Sequence, residues 1–437
     1  MTAAVPDAAW LAAQRWFRSK QRPIAGVREV DRAAVSPSAE LVVVEVTYRD
    51  GGAPDRYLLP LSGRSEPADG DGLWRALAGA MLRGTELRGA TGAFIATPTR
   101  VSGPIPGGDE AVAGSDERRL AVEQSNTSVV LGDRLILKLY RLLEPGINPD
   151  LEVGSFLTDA GFADTPAMAG SLVHVRHDGQ AAAAAMLQAF VPSRGDAWSA
   201  MLELLATDPD AAIGLARDIG AVTAALHAAL ASQPEHPGFP ARPATDAEAG
   251  AWRASAEREL DAAIGAVAGT ERMRLVTLAP RLRASLTDSF AAAVGAARVS
   301  RIHGDYHLGQ LLARDDGGLS VIDFEGEPAR PLAERRLPGS PLRDVAGMLR
   351  SLDYAVRTAA VQGPAAGFDA EAWPLEARAA FLDAYGKIDE AERHLLNAFE
   401  IEKACYEVRY ESANRPAWLW LPLAGIERLS DGGLPPG

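Results

Sequence analysis

Apolar and polar positions alternate along the first part of the chain and follow helical spacing along the last part. A short Trp-rich helix is predicted at residues 8–17. The segments ELVVVEVTYRD and DRYLLPL then alternate as strands, and GGAP between them is typical of a hairpin turn. The pattern predicts a sheet with a helix packed on it up to about Arg100, with Trp10, Trp16 and Phe17 in its core.

Further strands are predicted beyond this sheet. A Gly- and Pro-rich stretch at residues 101–117 is typical of a linker or a loose hairpin. It is followed by RRLAVEQSNTSVVLGDRLILKLYR, which alternates as two strands joined at Gly132 and Asp133, with EQSNTS as a turn. The apolar run AAAAAMLQAFV predicts a strand that ends at Pro192, and the rest of the chain is mostly helical.

One loop among the predicted helices carries a dense set of polar side chains. The sequence HGDYHLGQ runs from His303 to Gln310, and the apolar run LSVI then leads to Asp323. A lone H-G-D is commonly a turn in which the Asp caps its own backbone. Here the spacing from Asp305 to Gln310, the strand before Asp323 and the second acid Glu325 agree instead with the H-x-D-x-x-x-x-N loop and metal-binding Asp of protein kinases.

This spacing predicts a phosphotransferase loop. Phosphoryl transfer depends on positioning and on neutralising charge rather than on covalent chemistry of the protein. We expect Asp305 to orient the acceptor hydroxyl as the base, and Gln310 and Asp323 to offer oxygens to Mg2+. His303 is expected to be a core histidine satisfied by a backbone carbonyl, whereas His307 is left open between scaffolding and contact with substrate.

The two strands around Gly132 are candidates for nucleotide binding. A Lys inside an apolar strand, as Lys138 is, is costly unless it is paired, and the strand Lys of kinases pairs with phosphates and a helix Glu. Glu152 lies on the next predicted helix, which begins near Asn148, and is the expected partner. The alternative is that Lys138 is an ordinary solvated lysine on an edge strand. The turn before the second strand is expected to offer backbone amides and hydroxyls to phosphate oxygens from Ser125, Asn126, Thr127 and Ser128. The alternative is a plain polar hairpin turn without a ligand.

The strand that ends at Pro192 corresponds to the hinge of a two-lobed kinase. We expect adenine to meet backbone groups between Gln188 and Val191. The residue types are not diagnostic, because the main chain would make these contacts.

Composition places the chain among globular proteins of two or three structural units. Hydrophobic residues make up 47% and charged residues 23%, and a net charge of −14 argues against a general nucleic-acid or anionic-membrane surface. The single Cys405 cannot form an internal disulfide, which fits a reducing cytoplasm, and we expect it and His227 to be buried in helices. No signal peptide and no membrane span are expected, because no apolar stretch approaches about 18 residues without charge.

Several long segments resemble one family of bacterial enzymes. EQSNTSVVLGDRLILKLYRLLEPGINPDLE, RIHGDYHLGQLL, VIDFEGEPARPLAERRLPGSPLRDVAGMLRSLDYA and KACYEVRYESANRPAWLWLPLAGIERL closely resemble the maltokinases, which use ATP to make maltose 1-phosphate. WLAAQRWFRSKQRPI and VVVEVTYRDGGAPDRYLLPL resemble the N-terminal cap of that family. Aminoglycoside, choline and glucosamine kinases are related families.

The resemblance implies a fold and a set of roles. The fold is α+β and two-lobed like protein kinases, with a cap at residues 1–100, a small lobe at 101–191 and a helical C-terminal lobe at 192–437. Asp305 matches the catalytic base, Gln310 and Asp323 match the Mg2+ ligands, and Lys138 matches the ATP phosphate-binding Lys paired with Glu152. The product would feed α-glucan or glycogen synthesis from trehalose-derived maltose, with a trehalose-isomerising enzyme as a candidate partner.

The sugar site is predicted from residue chemistry within this frame. A disaccharide offers many hydroxyls and one apolar ring face, so its site needs carboxylates, amides, a cation and an aromatic platform. The helix FEIEKACYEVRYESAN places such side chains on one face at spacings of four, three and four. The alternative is an exposed, salt-bridged face with its Tyr packed on the core. Together with His307, the candidates are Lys403, Glu407, Tyr410, Asn414 and Trp418.

Two other functions stay open at this level. One is a kinase of glucosamine or an aminoglycoside, and the other is a non-catalytic, ATP-binding regulatory module. A polycationic acceptor needs several carboxylates, whereas Lys403, Arg409 and Arg415 are mixed among the acids of the last helix, which favours a neutral sugar. Degenerate kinases usually lack at least one of the motif residues, and all of them are present here.

Overall fold

The computed structural model describes residues 7–63, 65–99, 112, 114–120, 125–327, 330–362, 369 and 372–430. The chain divides into two compact units, Met1–Pro192 with Ala329–Arg335, and Ser193–Pro328 with Arg336–Gly437. Most of the stretch 101–117 predicted as a linker lies outside the described residues. The predicted α+β, kinase-like architecture is confirmed.

Unit 1 begins with helix α1 and a three-stranded antiparallel sheet in the order β1-β2-β3. The side chain of Asp7 caps α1 by accepting a hydrogen bond from the Trp10 amide. The predicted hairpin is confirmed as β2 and β3, whereas β1, the long strand before them, was missed because charged residues interrupt its alternation. These elements are α1 (Ala8–Ala13), β1 (Ile24–Ser36), β2 (Ala39–Tyr48) and β3 (Asp55–Ser62).

Both faces of β2 are buried, and successive residues enter two different cores. Val42 and Val44 pack with the buried rings of Trp16 and Phe17 on one face, as predicted for those aromatics. Val43 faces the opposite side, where it joins the core of the next sheet and of helix α2 (Leu73–Arg83). Alternation along a strand therefore joins the cap to the small lobe through one shared strand.

The second sheet of unit 1 has seven strands in the order β4-β5-β9-β10-β8-β7-β6. Helix α3 (Pro149–Asp159) follows β8, and Asn148 caps it by accepting from the amides of Asp150 and Leu151. The strands are β4 (Glu86–Arg88), β5 (Gly92–Pro98), β6 (Glu117–Arg119), β7 (Asn126–Leu131), β8 (Leu135–Tyr140), β9 (Met168–Arg176) and β10 (Ala181–Ala189).

The cap sheet and the strand β8 are joined by backbone hydrogen bonds. The Leu58 amide donates to the Arg141 carbonyl at 2.7 Å, and the Leu143 amide donates to the Arg56 carbonyl at 2.8 Å. Residues 141–143 thus extend β8 along the edge strand of the cap. The cap and the small lobe, predicted as separate subdomains, share unit 1.

Unit 2 is mostly helical, as predicted. A short sheet in the order β11-β14-β15 and a two-stranded pair, β12-β13, interrupt the helices. The strands are β11 (Ser193–Asp196), β12 (Arg242–Pro243), β13 (Arg298–Val299), β14 (Leu311–Arg314) and β15 (Leu319–Val321). Three short helices also occur in the described residues: Leu332–Arg335 of unit 1, and the 3-10 turns Leu308–Gln310 and Pro416–Trp418 of unit 2. The long helices are α4 (Ala197–Thr207), α5 (Pro209–Leu230), α6 (Asp246–Ala266), α7 (Gly269–Ala292), α8 (Leu342–Gln362), α9 (Trp373–Tyr385), α10 (Glu390–Asn414) and α11 (Trp420–Ser430).

Helices α5 and α9 pack closely because one residue of α5 lacks a side chain. A Cβ placed at Gly220 would lie 2.2 Å from the carbonyl oxygen of Phe381. By length and composition α5 is the one helix of the described residues that qualifies as a membrane span. Its buried Thr223 and His227 hydrogen-bond to Tyr306 and Asp344 of the same unit, so α5 is accounted for as a core helix.

Candidate active site

The loop from His303 to Gln310 is held by its own histidine. His303 Nε2 donates to the Ile322 carbonyl at 2.9 Å, and the Asp305 amide donates to His303 Nδ1 at 3.4 Å. A neutral ring with its proton on Nε2 satisfies both contacts. The prediction that His303 is a core histidine bonded to a carbonyl is confirmed.

A buried carboxylate that sequence reasoning missed anchors the same loop. Asp344, on α8, accepts from the amides of His303 at 2.8 Å and Gly304 at 2.9 Å, and from His227 Nε2 at 3.2 Å. Burial disfavours its charge, yet the hydrogen bond and charge of His227, followed by His303 and the loop amide, hold the pKa of Asp344 below its ordinary value. His227 is buried, as predicted, and its Nδ1 lies 3.0 Å from the Tyr385 hydroxyl.

The carboxylate of Asp305 lies beside a cation. Lys403 Nζ is 3.6 Å from Asp305 Oδ1, and both side chains are partly exposed, at 32% and 24%. Of the side chains predicted for the acceptor helix, Lys403 is the one that the structure pairs with the predicted base. An exposed carboxylate held at one end of a fixed loop can accept a hydrogen bond from an incoming hydroxyl.

Gln310 and Asp323 are brought together by the short hairpin between them. The Ile322 amide donates to the Gln310 carbonyl at 3.0 Å, and Gln310 Nε2 donates to Asp323 Oδ2 at 3.3 Å. Asp323 has a φ of 67°, a left-handed conformation that is unfavourable for a residue other than glycine. The predicted pair is therefore adjacent in space.

The residues at this hairpin end fit Mg2+ by their chemistry. Carboxylate oxygens of Asp323 and Glu325 lie within 4.8 Å of each other, and rotation of the Gln310 amide would present its oxygen to the same place. Hard oxygen ligands from carboxylates and amides suit Mg2+.

In unit 1, Lys138 forms a salt bridge with Asp150, an acid that sequence reasoning did not assign as its partner. Its Nζ lies 2.8 Å from Asp150 Oδ2, and both side chains are buried. The Tyr140 hydroxyl donates to the same carboxylate at 3.2 Å. Sequence reasoning used Asp150 only as a helix start, and Glu152 lies two residues further along α3, where its role as a partner remains a prediction.

The turn predicted at EQSNTS is wrong for its last three residues. Asn126, Thr127 and Ser128 form the start of β7 and are buried, paired with Tyr140, Leu139 and Lys138 of β8; Ser125 precedes the strand, and residues 121–124 lie outside the described residues.

The Thr127 hydroxyl is already engaged. It accepts from Arg141 Nε at 2.8 Å, and the buried Arg141 also contacts Glu66 at 2.9 Å and the ring of Trp16. The nucleotide-binding role of Ser125, Asn126, Thr127 and Ser128 stays a prediction.

Some backbone groups of the predicted hinge are hydrogen-bonded within unit 1. The Ala189 amide donates to the Ala167 carbonyl and the Phe190 amide to the Arg134 carbonyl, both at 2.8 Å. Gln188 is paired within β10 on both sides. Adenine contacts at Gln188 and Val191 stay a prediction.

The other residues predicted to bind the sugar have different surroundings. Glu407 is bound by Arg350 Nη2 at 2.7 Å, Tyr410 is 45% exposed, and Asn414 donates to the Tyr410 carbonyl of its own helix. Trp418 lies under the guanidinium of Arg415.

Two further predicted residues are His307, in the loop from His303 to Gln310, and Cys405, on α10. Burial lowers the pKa of His307, whose Nδ1 accepts from the Gly309 amide. Cys405 is fully buried, as predicted, and its burial raises the pKa of the thiol.

The chain is similar to known phosphotransferases in sequence. Residues 116–396, well over half of the chain, match the phosphotransferase enzyme family, and residues 10–98 match the maltokinase N-terminal cap domain. A glucosamine kinase of Streptacidiphilus jiangxiensis is 31% identical over 393 residues, covering 84% of each chain. A glucosamine kinase of Mycolicibacterium smegmatis is 30% identical over 333 residues, covering 72% of this chain and 80% of the relative.

Solved structures are similar over the whole length. A glucosamine kinase in complex with glucosamine, ADP and inorganic phosphate is 26% identical, with a TM-score of 0.71 over 98% of this chain and 100% of that chain. A second glucosamine kinase structure, crystal form B, has a TM-score of 0.75 over 98% of both chains. The alternative of a non-catalytic binding module is thereby set aside. This chain belongs to the phosphotransferase enzyme family and is an ATP-using kinase that acts on a sugar.

Proposed function

We propose that this chain is an ATP- and Mg2+-dependent kinase that phosphorylates maltose at its anomeric hydroxyl to give maltose 1-phosphate. The observation that supports it most is the position of Asp305. Asp344 fixes the preceding loop amides, and the Asp305 carboxylate stands partly exposed beside Lys403.

The reaction assigns one step to each group. The acceptor hydroxyl donates a hydrogen bond to Asp305 and attacks the γ-phosphorus of ATP. The bond from that phosphorus to the β,γ-bridging oxygen breaks, ADP leaves, and the hydroxyl proton passes to the Asp305 carboxylate. Lys138, kept in place by Asp150, holds phosphate oxygens of the nucleotide.

Mg2+ would be held by Gln310 and Asp323, with Glu325 beside them. When bound, the ion supplies positive charge to the β- and γ-phosphates. The protein contributes the oxygens and the backbone that fixes them, including the left-handed turn at Asp323.

A neutral acceptor is supported by the charge next to Asp305. The ammonium of Lys403 lies 3.6 Å from the base, and like charges close to each other are unfavourable. The match to the maltokinase cap supports maltose, although the glucosamine kinases align with this region too.

Glucosamine is the second candidate acceptor. The relatives at 31% and 30% identity are both glucosamine kinases, and the alignment with the first extends over 84% of this chain. The similarity to glucosamine kinases supports an amino sugar as the acceptor, whereas the positive charge of Lys403 beside Asp305 supports maltose.

One experiment decides between them. The purified protein is incubated with ATP, Mg2+ and maltose, glucosamine or kanamycin in turn, and ADP release is followed. We expect turnover with maltose, and phosphorus coupled to the anomeric proton of the product by NMR. Turnover with glucosamine and none with maltose would show that the acceptor is wrong.

The cellular setting follows from the same proposal. A kinase of maltose needs cytoplasmic ATP and would supply a glycosyl phosphate to α-glucan synthesis. Association with a trehalose-isomerising enzyme, which makes maltose, would be tested by co-purification of the two proteins.

A further inference from the structure

Lys403 occupies a distinctive place on helix α10. Its ammonium is paired with Asp305 at 3.6 Å and lies 5.0 Å from the ring centroid of Tyr406, one turn along the same helix. The side chain reaches past an aromatic surface to the carboxylate that the acceptor hydroxyl must approach. The positive charge is therefore adjacent to the reacting group.

The carboxylate of Glu407, one turn further along α10, is hydrogen-bonded by an arginine of another helix. Arg350 binds Glu407 Oε2 through Nη2 at 2.7 Å and Nε at 3.1 Å, and its Nη1 contacts Asp353 at 3.0 Å. The side chains of Arg350 and Glu407 are only 4% and 13% exposed. Glu407 thus belongs to a buried ion network beneath Lys403, and it is not available to an ammonium on a substrate.

The charge of Lys403 is also kept under ordinary conditions. Partial burial disfavours the ammonium, but Asp305 first, and then Glu407, Tyr406 and Glu327, hold the pKa of Lys403 above its ordinary value. His307, the other basic group of the loop, has its pKa lowered by burial. Lys403 is accordingly the cation that an acceptor meets at Asp305.

We propose that Lys403 determines acceptor specificity by excluding sugars that carry a positive charge near the reacting hydroxyl. The inference rests on the proposed role of Asp305 as the base. A sugar ring places its substituents within a few bond lengths of one another, so an ammonium on the ring next to the reacting carbon comes close to Lys403. Repulsion between like charges in a partly desolvated site then discriminates against the amino sugar.

Glucose and glucosamine are the matched probes, since they differ only in a hydroxyl or an ammonium at one carbon. Both are assayed with ATP and Mg2+ at about pH 6.5, where the amine is charged. Lys403→Met removes the charge, and Lys403→Arg keeps it. Arg393→Met is the control, because Arg393 is exposed near the start of the same helix.

We expect Lys403→Met to raise the ratio of glucosamine to glucose kcat/KM by about tenfold or more over the wild type. Lys403→Arg and Arg393→Met should leave that ratio within about threefold. Dissociation constants of the two sugars, measured by calorimetry, give the same ratio if Lys403→Met slows turnover too far for kinetics.

Two results would overturn the inference: an unchanged ratio in Lys403→Met, or an equal rise in Arg393→Met. Its failure is separate from failure of the proposed function, which depends on wild-type turnover of maltose. A wild type inactive on maltose with a shifted ratio in Lys403→Met refutes maltose and leaves the role of Lys403 standing.

Discussion

The ammonium of Lys138 and the carboxylate of Asp150 lie 2.8 Å apart, and both are almost fully buried. Asp150 lies in the first turn of α3, two residues after the capping residue Asn148. The strand residue and the helix start therefore fix each other. A buried pair of this kind is costly to break, because the remaining charge has no partner.

Replacing the acids of α3 separately identifies the functional partner of Lys138. We expect Asp150→Asn to lower stability by about 3 kcal/mol and to raise KM for ATP. Glu152→Gln on the same helix is the matched change. Chemical denaturation gives the stability of each variant, and steady-state kinetics give its KM for ATP. A larger rise in KM for ATP in Glu152→Gln than in Asp150→Asn would favour Glu152, the partner predicted from sequence.

Asp305→Asn tests the base. We expect kcat to fall by about 10² to 10⁴, because the hydroxyl loses its proton acceptor, while the Kd for ATP changes less than about threefold. Asp316→Asn, in the exposed turn between β14 and β15, is the control and should keep normal turnover. Near-normal kcat in Asp305→Asn would refute the role of this residue.

The Asp344 anchor predicts an acid-sensitive contribution to stability. Its pKa in the folded state lies below the ordinary value of 3.8, so the stabilisation is present above about pH 4 and is lost as the pH falls below it. Asp344→Asn removes this contribution. We therefore expect the free energies of unfolding of wild type and variant to differ at pH 7, and the difference to shrink as the pH falls through the lowered pKa of Asp344. A constant difference would contradict the anchor.

Glu407→Gln separates a structural role from sugar binding. Because Glu407 is held by Arg350, we expect a loss of about 2 to 4 kcal/mol in stability with little change in KM for the sugar. Tyr410→Ala, at an exposed position of the same helix, should leave stability nearly unchanged. A selective rise in KM for the sugar, with normal stability in Glu407→Gln, would restore the sequence-based assignment.

Local patterns were sufficient for features whose partners are close in sequence. The spacing of Asp305, Gln310 and Asp323 predicted a loop followed by a strand, and the structure places the side chains of Gln310 and Asp323 together. The helix after β8 and its cap at Asn148 were likewise predicted from the sequence.

Features that depend on long-range packing were not predictable in this way. Asp344 anchors a loop about forty residues earlier in the chain. It is one of two Asp residues on a helix that also carries three Arg, so nothing in the local sequence marks it as the anchor. Glu407 looked like a ligand because helical spacing shows which residues share a face; it does not show that Arg350 of another helix binds one of them. The strand at Asn126–Ser128 was misread because polar residues are rare in a buried strand and common in turns.

The backbone bonds between β3 and residues 141–143 limit how this enzyme can be shortened. A truncation that began after the cap would strip the partners from the Arg141 carbonyl and the Leu143 amide and would uncover the apolar side of the sheet that carries Lys138. Minimal versions for engineering or display should therefore retain the first hundred residues, which are a packed part of unit 1 rather than a detachable module.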